Sequence, residues 1–141
     1  MYKALSLSPL LLSAGLVLSP ALSASPDQRS QEEIAALISF VKDSDCVFIR
    51  NSNLHNAQEA SAHIQRKYQH FYADIDSTEE FIQKSASGSS ISGRPYYISC
   101  PGEKKIRSAD WLQQELSRIR DAQQRVQVGY KNSDSSTATD S

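Results

Sequence analysis

Residues 30–41 read Ser-Gln-Glu-Glu-Ile-Ala-Ala-Leu-Ile-Ser-Phe-Val, and this stretch predicts an amphipathic helix at the start of the fold. Ser30 and Glu33 have the spacing of a capping box, in which the side chain of each residue accepts a hydrogen bond from the backbone N–H of the other. Aliphatic residues then recur every three or four positions, as they do on one helical face, and Glu33 falls outside that face. They are Ile34, Leu37, Ile38 and Val41.

Similar signals predict three more helices. Asn56 with Glu59 begins a helix that runs to about residue 72, and Ser77 with Glu80 begins a shorter one that ends near about residue 86. The last helix is predicted to begin after Ser108, where a carboxylate in the first turn suits the helix dipole. Its core side is expected to include Trp111, Leu112 and Leu116.

Two short runs rich in aromatic and β-branched residues, 46–50 and 96–100, predict strands. For residues 46–50, a continuation of the first helix is the alternative. The small-residue segment 87–95 precedes the second run and is predicted to be a loop. The predicted fold is therefore mainly α (α+β), with about four helices, a small two-stranded β element and one disulfide.

The disulfide is predicted between Cys46 and Cys100, the two cysteines of the chain. An even cysteine count in an exported protein favours a bridge, and closing this loop is worth on the order of 4 kcal/mol. Buried thiols or a reactive pair are the alternatives, but the C-x-x-C spacing of redox enzymes is absent.

The N-terminal residues have the pattern of a secretory signal peptide. Lys3 precedes an apolar run over residues 4–18, and small residues follow it, which predicts cleavage near Ser23 or Ala24. We therefore expect a signal peptide over 1–23, a short polar segment over 24–29, one helix-rich domain over 30–127 and a disordered polar tail over 128–141. No membrane span is expected in the mature form, because the apolar run is too short for a confident one.

Charge and motifs exclude several classes of function. The chain has 15 Lys and Arg against 16 Asp and Glu, so no overall basic field favours nucleic acid. His55, His63 and His70 are seven residues apart, about 10 Å per step along a helix, which is too far for one metal shell. No G-x-S-x-G motif occurs, and Glu79 and Glu80 are adjacent and explained by capping. We therefore predict no metal, no cofactor and no catalytic residue.

One set of polar residues is a candidate binding site. It needs the loop over residues 87–95 to fold onto the second helix, where His63 and Lys67 share a face. Arginine forks, hydroxyls and backbone donors suit an anion or a sugar. The alternative interpretation is a solvated linker beside the polar flank of a helix. The set is Arg50, Asn51, His63, Lys67, Ser89, Ser90, Ser92 and Arg94.

Four ordered motifs carry a resemblance to a known family. They lie in residues 46–51, in Ala60-x-x-His63-Ile64-x-x-Lys67-Tyr68, in residues 89–100 and in Trp111-Leu112. Over about residues 33–120 the chain resembles the YfeK-like proteins, exported proteins of Gram-negative bacteria with a domain of unknown function. The resemblance implies a periplasmic location and a shared fold, but no activity. Ser52 departs from it, because glycine is expected there after Arg-Asn, so the turn is expected to be built differently.

The predicted function is a periplasmic, non-catalytic binding or interaction module for an envelope component. Its partner is expected to be an envelope glycan or another periplasmic protein. The alternative is a small hydrolase that acts on an envelope polymer, with His63 activating a serine and Asp74 or Asp76 orienting the histidine. That alternative is less favoured because the sequence has no motif that fixes such geometry.

Overall fold

The computed structural model describes residues 25–135, with side chains to residue 131. The predicted signal peptide and the last residues of the predicted tail lie outside this range. In chain order, the elements are α1 (Gln28–Lys42), β1 (Val47–Arg50), β2 (Asn53–His55), α2 (Ala57–Phe71), α3 (Thr78–Phe81), β3 (Tyr97–Ser99), β4 (Ile106–Arg107) and α4 (Ser108–Ser135). A 3₁₀ turn, Tyr72–Asp74, follows α2, and α3 continues as a π-helical turn, Ile82–Ala86. The mainly helical fold class is therefore confirmed.

The helix caps match the predictions in part. Asn56 and Glu59 form the complete capping box at α2, as predicted. At α1 the prediction was wrong, because the Asp27 side chain accepts the hydrogen bond from the Ser30 N–H at 2.7 Å. Ser30 therefore lies inside the first turn, and the helix begins at Gln28. An aspartate caps a helix as well as a serine does, and Asp27 therefore starts the helix three residues before Ser30.

The β element is an antiparallel sheet of four strands in the order β2-β1-β3-β4, two more than predicted. Asn51 and Ser52 both have positive φ, 49° and 69°, and Arg50 pairs with Asn53 across them. This is the geometry of a type I′ hairpin, which folds residues 53–55 back as β2. The strand was missed because its three residues look like a turn leading into α2.

The core lies between the helices and one face of the sheet. Phe48 of β1 and Ile98 of β3 point into it, and Trp111 is 9% exposed and stacks on Phe40 with ring centroids 4.3 Å apart. The predicted core position of Trp111 is thus confirmed. The helix α4 continues past residue 127, where the sequence predicted the domain to end, and residues 124–131 on it are exposed.

Glu33 is the clearest departure from the helical pattern. Although predicted outside the apolar face, its side chain is only 1% exposed. It accepts hydrogen bonds from Arg120 Nε at 2.9 Å, Arg120 Nη2 at 2.8 Å and Thr78 Oγ1 at 2.6 Å. Arg120 also binds Glu79 at 2.6 Å, so the network joins α1, α3 and α4. A buried carboxylate is tolerated here because its oxygens are paired and hydrogen bonded.

The disulfide between Cys46 and Cys100 is present, as predicted, with a Cα–Cα distance of 4.1 Å. It lies next to the pair Val47 and Ser99, at the end of the β1–β3 ladder. It therefore ties the segment after α1 to the strand pair that leads into α4. Within residues 25–135, no helix is both long enough and apolar enough to cross a membrane.

Candidate binding site

A polar cluster forms where β1, α2 and the start of β3 meet. We define it as Arg50, His63, Lys67 and Tyr96. Arg50 ends β1, and alternation along the strand turns it to the same side as Phe48. His63 and Lys67 lie one turn apart on α2 and so share a face. Tyr96 precedes β3 and is 8% exposed.

His63 and Tyr96 are joined by a hydrogen bond of 3.2 Å between Nε2 and the phenol oxygen. Burial, together with repulsion of the imidazolium by Arg50 and Lys67, lowers the pKa of His63 to about 4. Burial also raises the pKa of Tyr96. Both groups are therefore neutral at pH 7. The contact between them is a hydrogen bond between two uncharged side chains.

Lys67 connects the cluster to the loop over residues 87–95. Its ammonium donates a hydrogen bond of 2.6 Å to the Gly88 carbonyl and lies 5.5 Å from the centroid of the Tyr96 ring. Burial lowers the pKa of Lys67, and repulsion from Arg50 lowers it further. At Gly88 a Cβ would lie 2.8 Å from the Arg94 carbonyl oxygen, so glycine permits the close approach within the loop.

The cluster has an excess of positive charge. Among the described residues, no carboxylate lies within 4.0 Å of Arg50 or Lys67, whereas Arg118 has one such partner and Arg120 has two. Beside the cluster, Glu59 lies 3.4 Å from His55 Nδ1. Like charges that face each other without a counterion raise the energy of the site, and an anion would lower it.

A narrow cleft opens beside this cluster, between β1, α2 and Tyr96. Arg50, His55 and His63 line it together with apolar side chains such as Phe48 and Ile64. The cleft leaves about 20 Å³ for the centre of a water-sized group, so it has room for one small group such as a carboxylate oxygen. The Nε2 atom of His55 is buried there and has no hydrogen-bond partner within the described protein.

The eight residues predicted from sequence do not converge on one pocket. Arg50 and His63 line the narrow cleft, whereas Lys67, Ser89 and Ser90 line an adjoining depression under the loop. Asn51 and Arg94 lie at a third depression, on the other face of the sheet. Ser92 bridges the hairpin and the loop, because its hydroxyl donates to the Asn51 side-chain oxygen at 3.5 Å.

Sequence reasoning did not include Tyr96 and His55 in the site. Tyr96 was assigned to a strand without a role in binding, and His55 was considered as a metal ligand and rejected. The signal for Tyr96 was available, since a buried tyrosine hydroxyl needs a partner and His63 is a donor or acceptor on the facing helix. No such signal existed for His55, because β2 itself was not predicted.

The arrangement supports binding chemistry better than catalysis. His63 is hydrogen bonded to the Tyr96 hydroxyl, and no hydrogen bond joins its ring to a serine within the described residues. Residues 25–135 hold no group of three or more His, Cys, Asp or Glu that could hold a metal ion. Hydrogen bonding and charge attraction from Arg50 and Lys67 are what the site offers.

Comparison with known proteins gives a family without a described activity. Residues 28–120 match the family of unknown function DUF5329. A protein of Salmonella typhimurium strain LT2 named uncharacterized protein YfeK is 42% identical over 62 residues, which cover 44% of this chain and 52% of that protein. The chain thus spans about half the length of this relative. No solved structure matches the present chain. The YfeK-like resemblance is confirmed, and the chain belongs to the DUF5329 family of unknown function.

Proposed function

We propose that this protein is a periplasmic, non-catalytic binding module that holds an anionic or hydroxyl-rich group of an envelope component at the polar cluster. One observation carries this proposal. Arg50 and Lys67 both lie beside the neutral His63–Tyr96 pair, and neither cation has a carboxylate partner among the described residues. Two cations that repel each other are stabilised when an anion lies between them. Arginine adds a planar fork that matches carboxylate and phosphate groups.

We propose that the protein is exported to the periplasm. This location is supported by the signal-peptide pattern of residues 1–23 and by the disulfide between Cys46 and Cys100, since disulfides persist in oxidising compartments. The periplasm has such conditions. Cell fractionation tests this location, and a protein retained in the cytoplasm with reduced cysteines would contradict it.

The proposed ligand group is small or terminal. The narrow cleft admits a single oxygen-bearing group, and the depression under the loop adds the hydroxyls of Ser89 and Ser90 beside Lys67. A carboxylate at the end of a peptide stem or on a sugar acid has this size and charge. Peptidoglycan fragments present both carboxylates and hydroxyls, so they are the first ligands to test.

The experiment titrates the protein with purified peptidoglycan fragments and follows amide shifts by NMR, with the same mixtures analysed by mass spectrometry. We expect shifts at residues 50, 63, 67 and 88–90, and unchanged fragment masses. Arg50→Gln is expected to weaken binding about tenfold, because one charge-assisted contact is worth about 1.4 kcal/mol or more. Arg125→Gln is the matched control, since Arg125 lies exposed on α4.

Turnover of the fragments would contradict the non-catalytic proposal and favour the hydrolase. Equal affinity of wild type and Arg50→Gln for every fragment would contradict the anion site. Lys67→Gln is less informative on its own, because Lys67 also holds the loop through the Gly88 carbonyl. Its stability must be measured together with its affinity.

A further inference from the structure

The outer face of the sheet carries an apolar row that no described helix covers. Leu54, Ile49 and Tyr97 form this row and are paired in that order across β2, β1 and β3. Arg107 of β4 pairs with Tyr97 at the end of the row, so its side chain lies on the same face. Leu54 is 69% exposed, and Val47, the other apolar residue of this face on β1, is 41% exposed. The opposite face holds Phe48 and Ile98, which pack in the core.

A cationic rim surrounds this row. Arg94 and Lys105 line a depression whose floor includes Ile49, Pro95 and Tyr97. The Lys105 ammonium lies 5.1 Å from the centroid of the Tyr97 ring, which places its charge over the floor. Arg94, Lys105 and Arg107 are exposed and form no salt bridge within the described residues. Glu103 and Asp110 are acids near them in sequence.

We propose that this open sheet face docks an acidic segment of a partner protein, with one apolar side chain of that segment seated on Ile49, Leu54 and Tyr97. Exposed apolar surface rimmed by charge is typical of protein interaction sites. The sign of the rim selects an acidic partner, because complementary charges steer association and like charges oppose it. This surface lies on the other side of β1 from the narrow cleft, and Ile49 is the residue that borders both.

The composition of the floor selects a peptide over a polysaccharide. Sugars stack on aromatic rings, and only Tyr97 offers one here, already covered in part by Lys105. Leu54 and Ile49 are aliphatic and fit an apolar side chain better. A second copy of this chain is disfavoured for the same face, because two cationic rims would meet and repel each other.

The test uses the full chain isolated from a bacterial host and three synthetic nine-residue peptides. The first contains glutamates with one central leucine, the second replaces that leucine by serine, and the third replaces the glutamates by lysine. We expect the first peptide to bind, with amide shifts at residues 47–55 and 94–107. Lys105→Glu and Leu54→Glu are each expected to weaken this binding about tenfold, which corresponds to about 1.4 kcal/mol.

Two exposed residues of α4 supply matched controls, and Arg125→Glu and Val128→Glu should leave binding unchanged. Both sheet-face residues are exposed, so Lys105→Glu and Leu54→Glu are expected to keep the fold, which circular dichroism checks. Equal binding of the serine peptide or of oligogalacturonate would overturn the proposal in favour of a simple polyanion site. Binding of the lysine peptide, or shifts confined to residues outside this face, would also overturn it. Because Arg50→Gln leaves this face intact, failure here is distinguishable from failure at the narrow cleft.

Discussion

Replacing Glu33 by glutamine removes one negative charge from the centre of the network that joins α1, α3 and α4, with almost no change in volume. The side chain is 1% exposed, and Arg120 binds both of its oxygens. In the variant, the glutamine oxygen still accepts a hydrogen bond, but Glu79 at the exposed edge of the network is the charged partner that Arg120 keeps. We expect a clear loss in the free energy of unfolding at neutral pH, because an arginine is left partly buried without its main partner.

The magnitude follows from the pKa of the carboxyl group. Hydrogen bonds from Arg120 outweigh burial and lower the pKa of Glu33 from 4.5 to about 2. A shift of that size corresponds to about 3 kcal/mol at pH 7. Arg120 is 33% exposed, so solvent screens part of the attraction, and we expect about 2–3 kcal/mol.

The pH dependence gives the prediction its sign. Because the folded pKa is depressed, this stabilisation is fully present above about 4.5 and is lost as the pH falls toward about 2. Urea unfolding of wild type and Glu33→Gln at several pH values should show a gap that is widest near neutral pH and closes in acid. The matched control is Glu32→Gln, since Glu32 is exposed and should change the free energy of unfolding by less than about 0.5 kcal/mol. A gap that is constant between about pH 5 and pH 2.5, or no larger than that of the control, would refute the reasoning.

Three further predictions concern the disulfide, the core and the hairpin. Intact mass with and without reductant should show Cys46 and Cys100 bonded, and reduction should lower the free energy of unfolding by about 4 kcal/mol; two thiols alkylated without reductant would contradict this. Trp111→Ala should cost about 3–5 kcal/mol in urea unfolding, and wild-type emission should be blue-shifted only when folded. Ser52→Gly should stabilise the protein by about 1 kcal/mol by thermal or urea unfolding, because Ser52 has φ 69° in a hairpin that favours glycine, whereas Ser52→Ala should bring no gain.

Local sequence signals predicted the parts of the fold that depend on local interactions. The capping box of Asn56 and Glu59 needs only residues three apart, and the buried face of α1 follows from helical spacing. The short strand β2 was missed because its formation depends on pairing with β1, which a three-residue pattern does not encode. Tertiary pairing determines strands of this length more than propensity does.

Glu33 shows the same limit for charge. Glu33 was placed outside the apolar face, although it precedes Leu37 by four residues and so shares the buried side of α1. Its main partner, Arg120, is 87 residues away in the chain. A lone glutamate near an apolar face is buried only when the fold brings a cation and a hydroxyl to it, and neither is visible from its neighbours in sequence. Sequence patterns predict a face for a residue but not its distant partners.

The sequence predicted which residues of α2 lie together in the candidate site. The loop residues that were grouped with them lie at different surfaces in the structure. His63 and Lys67 share a face because they are four residues apart on α2, and this is a local fact. Arg94 was grouped with them because the loop was expected to fold over α2. Instead the loop pairs Gly88 with Pro95, so its two ends lie side by side and Arg94 reaches the outer sheet face.

The loop over residues 87–95 is therefore the part of the molecule that both proposed surfaces share. One end is held by the hydrogen bond from Lys67 to the Gly88 carbonyl, and the other leads through Pro95 into Tyr96, whose N–H donates to the Ser87 carbonyl at 2.9 Å. Ser89 lies beside the cationic cluster, while Arg94 lies on the rim of the open sheet face. Lys67 and Arg94 are thus joined through the two paired ends of one short loop, which contributes a residue to each of the two surfaces.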